Sequence, residues 1–173
     1  MNCEICFTQW DSPCGRLMLA SIGNKLVMND WLEGWHHEAI MKRFNRLLNT
    51  PNWKEKTTPV ISQAINELEA YFHGQSNPFN LDIDLIGTEF QLNVWRALQT
   101  IPYGKLVSYK DIAQSIGTPR AIRAVGGAVG QNPISIIIPC HRVVGTDRSL
   151  TGYGGGYEAK QFLLNLENGS LIF

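Results

Sequence analysis

The sequence predicts a two-domain α+β/α chain: a small antiparallel sheet with helices packed on it, then a mainly helical domain with a helix-turn-helix. Three observations carry that expectation. Alternating apolar and polar runs separated by turn residues fill the first thirty positions, a Thr-x-x-Gln capping box changes the texture at Thr88, and two short helical segments meet at Gly117-Thr118. The boundary is placed near Ile86-Gly87, which gives an N-terminal α/β domain over residues 1–86 and a C-terminal domain over residues 87–173.

Residues 3–10 read as a strand, and Asp11, Pro13 and Gly15 mark a turn. Residues 16–21 follow as a second strand, Gly23-Asn24 as a turn, and residues 25–30 as a third strand. A helix is expected over residues 33–48, with Met41, Phe44 and Leu48 on one face and His36 and His37 on its solvated side. Thr58 caps the next helix, Pro59 takes its first position, and the stripe Ile61, Ile65, Leu68 and Phe72 stops before Gly74. Phe79, Leu81, Ile83 and Leu85 then alternate with Asn80, Asp82 and Asp84, the pattern of a strand with one buried face.

In the second domain Thr88 and Gln91 open a helix that runs to about Leu98, turning Phe90, Val94 and Leu98 inward. Ser108 and Asp111 begin another, ended by Gly117, and Thr118-Pro119 begins the next over residues 120–129. Two short helices with a tight turn fit a helix-turn-helix, and equally a helical hairpin that packs its own core. The second helix is rich in small residues (Ala121, Ala124, Gly126, Gly127, Ala128), so another backbone can approach it closely. Its basic residues are Arg120 and Arg123, too few side chains to read base edges in a major groove. A shallow minor-groove approach with one inserted arginine fits better.

With 173 residues, 44% hydrophobic and 17% charged, the chain has an ordinary globular composition. No run approaches the roughly 18 apolar residues of a membrane span, and no basic-then-apolar leader opens the sequence. A cytoplasmic, monomeric protein without membrane contact is expected. Cys3, Cys6 and Cys14 cluster while Cys140 stands apart, which argues for reduced thiols. The net charge of zero conceals an asymmetry: residues 1–88 hold 7 Lys and Arg against 10 Asp and Glu, and residues 89–146 hold 6 against 2. A basic second half is the footprint of a face that meets phosphates.

Candidate chemistry sits in Ile136-Ile137-Ile138-Pro139-Cys140-His141-Arg142-Val143-Val144. Pro139 rigidifies the turn after an apolar run and delivers Cys140 to the floor of a pocket. A thiol attacks as thiolate, which calls for a base and a positive field, and His141 and Arg142 are candidates for these. Adjacent residues point apart, so proton transfer from Cys140 to His141 would run through a water, and a third group should orient the imidazole. The alternative reading is a small buried cysteine beside a surface histidine.

These pieces in this order resemble the O6-alkylguanine-DNA alkyltransferases. The anchors are Phe90-Gln91, Val94-Trp95, Ile101-Pro102-Tyr103-Gly104, Ser108-Tyr109, Arg123-Ala124-Val125-Gly126, Asn132-Pro133, Ile138-Pro139-Cys140-His141-Arg142-Val143, Gly152-Tyr153 with Gly155-Gly156, and Leu163-Leu164 with Glu167. The resemblance implies direct-reversal repair of double-stranded DNA, with the alkyl group of O6-alkylguanine, and of O4-alkylthymine, moving irreversibly to Cys140 in a single turnover. It implies that His141 takes the thiol proton through a water, that Glu167 holds the imidazole, and that Asn132 ties the recognition helix to the active-site strand. Tyr109 is implied to crowd the 3′ phosphate and assist the leaving base, and Arg123 to fill the stack from which the nucleotide is flipped. Arg120, Ala124 and Gly126 join the DNA-facing surface, while Val143, Tyr153, Gly154 and Gly155 hold the base. Ser135 stands where some relatives carry a proline, which suggests a roomier pocket. No cofactor and no metal are expected, because Ile22 occupies one cysteine position of the zinc site that some relatives carry. The short tail favours a stand-alone protein. Two rivals remain: a non-catalytic helix-turn-helix protein and a cysteine hydrolase.

Overall fold

The computed structural model describes residues 3–169. Three strands, β1 (Glu4–Ser12), β2 (Gly15–Ile22) and β3 (Lys25–Trp31), form the expected antiparallel meander. On β2, Leu17 and Leu19 face one way and Met18 and Ala20 the other, and all four are buried. Both faces of the sheet must therefore be covered. Helix α1 (His37–Leu47) covers one through Ile40 and Phe44, and α2 (Pro59–Phe72) covers the other through Ile61, Ala64 and Leu68.

Three local readings change. A fourth strand, β4 (Asn52–Glu55), adds a parallel edge beside β1 and gives the order β3-β2-β1-β4. Its four residues are too few and too polar to show alternation, and backbone pairing places it. Helix α1 starts at His37 rather than at residue 33, because Gly34 N–H donates to the Trp31 carbonyl (3.0 Å) and bends the chain first. His36 and His37 consequently leave the solvated face: His37 Nδ1 lies 2.7 Å from the buried Asp30 carboxylate, and His36 Nε2 is buried against Gly130.

The strand expected over residues 79–85 reduces to one bridge. Leu26 N–H donates to the Asp82 carbonyl (2.8 Å) and Asp84 N–H to the Leu26 carbonyl (2.9 Å). Phe79, Leu81, Ile83 and Leu85 do turn toward the core. Pairing stops there because the rest of the β3 edge is taken by the C-terminal half: Asn29 N–H donates to the Pro133 carbonyl (2.9 Å), and Ser135 N–H to the Asn29 carbonyl (2.8 Å). One sheet edge thus anchors both the connecting segment and the loop that leads to Cys140.

The second half opens with α3 (Glu89–Leu98), whose Thr88 and Gln91 form the expected reciprocal capping box. A two-residue strand β5 (Val107–Ser108) runs into α4 (Tyr109–Ser115), capped by Ser108 and Asp111. Gly117, at φ +76, supplies the left-handed turn into the next helix, as a residue without Cβ can. That helix, α5 (Ile122–Gly130), begins later than residue 120, because Ala121 N–H donates to the Thr118 carbonyl (2.9 Å) and closes a turn. Arg120 therefore stands ahead of the helix. After a single 3₁₀ turn at Cys140–Arg142, β6 (Val143–Val144) pairs in parallel with β5, and α6 (Tyr157–Asn168) closes the chain. Trp95 on α3, fully buried, donates its indole N–H to the Ala128 carbonyl (2.8 Å) and locks α3 onto α5. Leu17, Leu19 and Leu26 share one continuous core with Val94, Val125, Ile138 and Leu163, so the two halves are packed together.

Candidate active site around Cys140

The thiol is delivered by two consecutive tight turns. Ile137 N–H donates to the Ser135 carbonyl (2.8 Å) around Ile136 at φ +71, and Cys140 N–H donates to the Ile138 carbonyl (2.8 Å) around Pro139 at φ −81. The first is a γ-turn of the positive-φ kind, strained for a β-branched residue by about 1–3 kcal/mol. Burial of Ile136 and the amide of Asn132 hold it. Asn132 donates Nδ2 to the Ile138 carbonyl (2.9 Å) and accepts from Ile134 N–H (3.0 Å), joining the end of α5 to this loop.

Next to the cysteine, three side chains and one backbone N–H converge on one carboxylate. Glu167 Oε1 accepts from His141 Nε2 (2.6 Å), from the Tyr71 hydroxyl (2.8 Å) and from Arg142 Nη2 (2.9 Å). Oε2 accepts from Arg142 Nε (2.9 Å) and from Gly104 N–H (3.2 Å). Burial alone would raise the Glu167 pKa, but His141 and the two-pronged guanidinium hold it well below the usual carboxylate range. Burial pushes His141 the other way, down, against the opposing pull of the Glu167 carboxylate, and the nearby Arg142 and Lys160 cations add to the lowering. The resting state is therefore ionised Glu167 with neutral His141. An ionised carboxylate only accepts, so Nε2 carries the ring proton and Nδ1 keeps its lone pair. Nδ1 is buried and has no protein partner.

Cys140 itself is 4% exposed. Burial pushes its thiol up, while hydrogen bonds from Asn132 and Ser135 and the charge of Lys160 pull it down. Lys160, buried on α6, donates Nζ to the Val143 carbonyl (2.6 Å), and burial lowers it to about 8. A cation kept inside the protein beside a thiol favours the thiolate.

The remaining expected residues fall into three groups. Tyr109 begins α4 and places its hydroxyl 2.6 Å from Thr151 Oγ1, and burial raises its pKa. Arg123, Ala124 and Gly127 form the exposed face of α5, whereas Gly126 is half-buried beneath the Tyr109 ring. Arg120 is exposed in the preceding turn. Finally, residues 152–156 lie against the end of β3: Trp35 Nε1 donates to the Tyr153 carbonyl (3.1 Å), Trp31 packs on Gly155 and the Tyr153 ring, and Gly34 meets the Gly154 carbonyl so closely that a Cβ there would collide. Tyr153 is buried. Ser135, expected to leave room in a pocket, is buried between Asn29 and the thiol, with its carbonyl accepting from Asn29 Nδ2 (2.7 Å). A cavity of about 510 Å³ lies behind the Cys140 turn, lined by Tyr71, Tyr103, Ile136, Pro139 and Arg142, and Cys140 is not among its lining residues.

Comparison with known proteins places this geometry. A 6-O-methylguanine DNA methyltransferase DNA-binding domain matches residues 89–169, and the ribonuclease-like domain of the same proteins matches residues 5–85. A methylated-DNA–protein-cysteine methyltransferase of Haemophilus influenzae is 44% identical over 163 residues, spanning 93% of this chain and 85% of that protein. The chain belongs to the 6-O-methylguanine DNA methyltransferase family. A methylated-DNA–protein-cysteine methyltransferase of Methanosarcina barkeri is 46% identical over 161 residues, 93% of this chain and 96% of its own length. Among solved structures, Mycobacterium tuberculosis O6-methylguanine methyltransferase superposes with a TM-score of 0.80 at 43% identity, covering 95% of this chain and 93% of that one. M. tuberculosis OGT in complex with DNA gives 0.80 at 44%, covering 96% and 93%.

Sequence reasoning missed three residues of this methyltransferase site. Lys160 lies seven positions before Glu167, two helical turns away on the same face of α6, a spacing that was legible had α6 been read as a helix. Tyr71 lies three positions after Leu68 on the buried side of α2, where nothing in the sequence marks it off from core. Asn29 sits in an apolar strand and carried no signal.

Proposed function

We propose that this protein repairs DNA by direct reversal, with Cys140 as acceptor of the alkyl group of O6-alkylguanine. The observation that carries the reading is the buried imidazole of His141, one residue from a buried thiol, with Nε2 held by Glu167 and Nδ1 left open. Water relays the Cys140 proton to Nδ1. The thiolate attacks the alkyl carbon, the S–C bond forms as the C–O6 bond breaks, and the guanine anion leaves. The Tyr109 hydroxyl protonates or hydrogen-bonds that base at N3. A thioether is not reversed by cellular thiols, so each molecule acts once.

The lesion is extruded from the duplex, since O6 of a stacked base cannot reach a buried sulfur. The exposed small-residue face of α5 supports a minor-groove approach, with Arg123 filling the vacated stack and Arg120 steadying the backbone. Residues 152–156 lift from Trp31 and Trp35 to admit the base, which main-chain groups at Val143, Tyr153, Gly154 and Gly155 then hold. O4-alkylthymine presents the same alkyl-oxygen bond and is a second substrate. Monomeric action on double-stranded DNA fits this geometry. Among the described residues no helix is long and apolar enough to cross a membrane.

The test is intact mass after incubation with a duplex containing O6-methylguanine. The expected result is a gain of one methylene per protein that maps to the Cys140 peptide and stops at one equivalent. Demethylated DNA with an unchanged protein mass would overturn the reading, as would repeated turnover on an activated ester.

A further inference from the structure

The N-terminal half reaches the Glu167 carboxylate through the Tyr71 side chain. Tyr71 lies in the last turn of α2, is buried, and donates its hydroxyl to Glu167 Oε1 (2.8 Å), the same oxygen that His141 Nε2 contacts at 2.6 Å. The phenol oxygen also stands 3.5 Å from His141 Nε2. Its ring is held by Phe72, Phe79 and Tyr103, with centroids at 5.4, 5.8 and 6.1 Å. Three rings fix the direction of one hydroxyl, so its aim at Glu167 is a product of packing.

We propose that Tyr71 is a positioning residue: its hydroxyl, delivered by the N-terminal half, holds Glu167 Oε1 against His141 and limits how strongly that carboxylate supports a protonated imidazole. The argument rests on the reading of Cys140 as alkyl acceptor with His141 as its base. A carboxylate oxygen shared among three donors is a weaker acceptor toward each than one shared between two. Tyr71 therefore keeps Glu167 an orienting group more than a charge-stabilising one, and His141 stays neutral, with Nδ1 ready to accept the thiol proton. The other charged or titratable groups facing His141 are Cys140 and Arg142 on its own turn, Lys160 on α6, and Tyr103, which faces Glu167 from the segment before β5. Lys160 and Arg142 oppose imidazolium formation as Tyr71 does, while the remaining charge of Glu167 favours it. The rear cavity of about 510 Å³ is lined by Tyr71, Tyr103 and Arg142, so the partners of Glu167, and not His141, form its wall.

Tyr71→Phe tests this, because it deletes the hydroxyl, keeps the ring, and leaves Glu167 three other donors. The expected result is a single-turnover methyl-transfer rate that falls on the acid side of the profile, where more His141 is already protonated and cannot take the thiol proton. The acid limb of its pH profile should move to higher pH, since the freed carboxylate stabilises the imidazolium. The ring ¹⁵N shifts of His141, titrated without DNA, should move the same way. Tyr103→Phe is the control: it deletes a hydroxyl from the same ring cluster, keeps the rings that aim Tyr71 and keeps the Tyr71–Glu167 bond, and should move neither the limb nor the titration. A folded Tyr71→Phe protein with an unmoved limb and titration overturns the proposal, and so does a Tyr103→Phe protein that reproduces both shifts. Failure of the wild type to gain a methylene at Cys140 would instead sink the functional reading, and the titration without DNA tells the two apart.

Discussion

Truncating Asn132 to alanine should loosen the loop that presents the thiol, by an amount the hydrogen bonds define. The side chain is 2% exposed and makes two short bonds, to the Ile138 carbonyl (2.9 Å) and from Ile134 N–H (3.0 Å). They are unequal in consequence. The Ile138 carbonyl keeps Cys140 N–H at 2.8 Å and stays paired, whereas Ile134 N–H, in a fully buried residue, loses its partner. An orphaned buried N–H costs about 1–3 kcal/mol and the second bond adds about 1 kcal/mol, so Asn132→Ala should destabilise by ~2–4 kcal/mol. That is a large share of the ~5–15 kcal/mol that holds a typical domain. The thiol should respond as well, because Asn132 is the strongest of the groups that lower the Cys140 pKa against the upward push of burial. Urea unfolding followed by tryptophan fluorescence reads the first effect. Iodoacetamide alkylation against pH reads the second, resolved by peptide mass because Cys3, Cys6 and Cys14 are also free. A stability loss below about 1 kcal/mol, with an unchanged Cys140 profile, would refute the assignment of both roles to one amide.

Three further outcomes are expected. Glu167 has a folded pKa depressed below its unfolded value of about 4.3, so its contribution is full above that pH and is lost as pH falls through the folded value. Glu167→Gln should cost about 3–5 kcal/mol near neutrality by stranding Arg142, and should flatten the acid side of the urea-midpoint profile; parallel acid slopes in the two proteins would contradict this. Lys160, lowered to about 8, binds fewer protons folded than unfolded between that pH and about 10.4, so stability should rise with pH across the window. Lys160→Met should abolish the rise, and an equal rise in both proteins would rule out the depressed lysine as its source. Gly155→Ala would put a Cβ 2.5 Å from the Trp31 ring, so residues 152–156 should exchange amide hydrogens faster while the rest of the chain does not; unaltered exchange there would show that the loop tolerates the methyl.

Much of this molecule was legible because its signals are local. The capping boxes at Thr88 and Ser108 opened their helices as expected, since a side chain three residues from its partner needs no tertiary context. The same holds for Pro59 at the start of α2 and for the glycine turn at Gly117. Misread elements depend on distant chain. β4 exists because β1 offers it an edge, residues 79–85 fail to become a strand because residues 133–135 occupy the rest of β3, and α1 starts late because Gly34 bends toward Trp31.

The candidate site divides in the same way. By itself the sequence determined that a cysteine and a histidine share a rigid turn after Pro139, that an arginine-bearing helix of small residues precedes them, and that Glu167 is the third group, this last through family resemblance. Only the tertiary structure decided that Glu167 is shared by His141, Arg142 and Tyr71, that Lys160 is buried beside the thiol, and that residues 152–156 close against Trp31 and Trp35. The physical reason is range. Caps, turns and residue types act within a few positions, while a carboxylate's donors lie as far as 96 residues away in sequence and, like the charges that set a thiol's field, are brought together only when the core is packed.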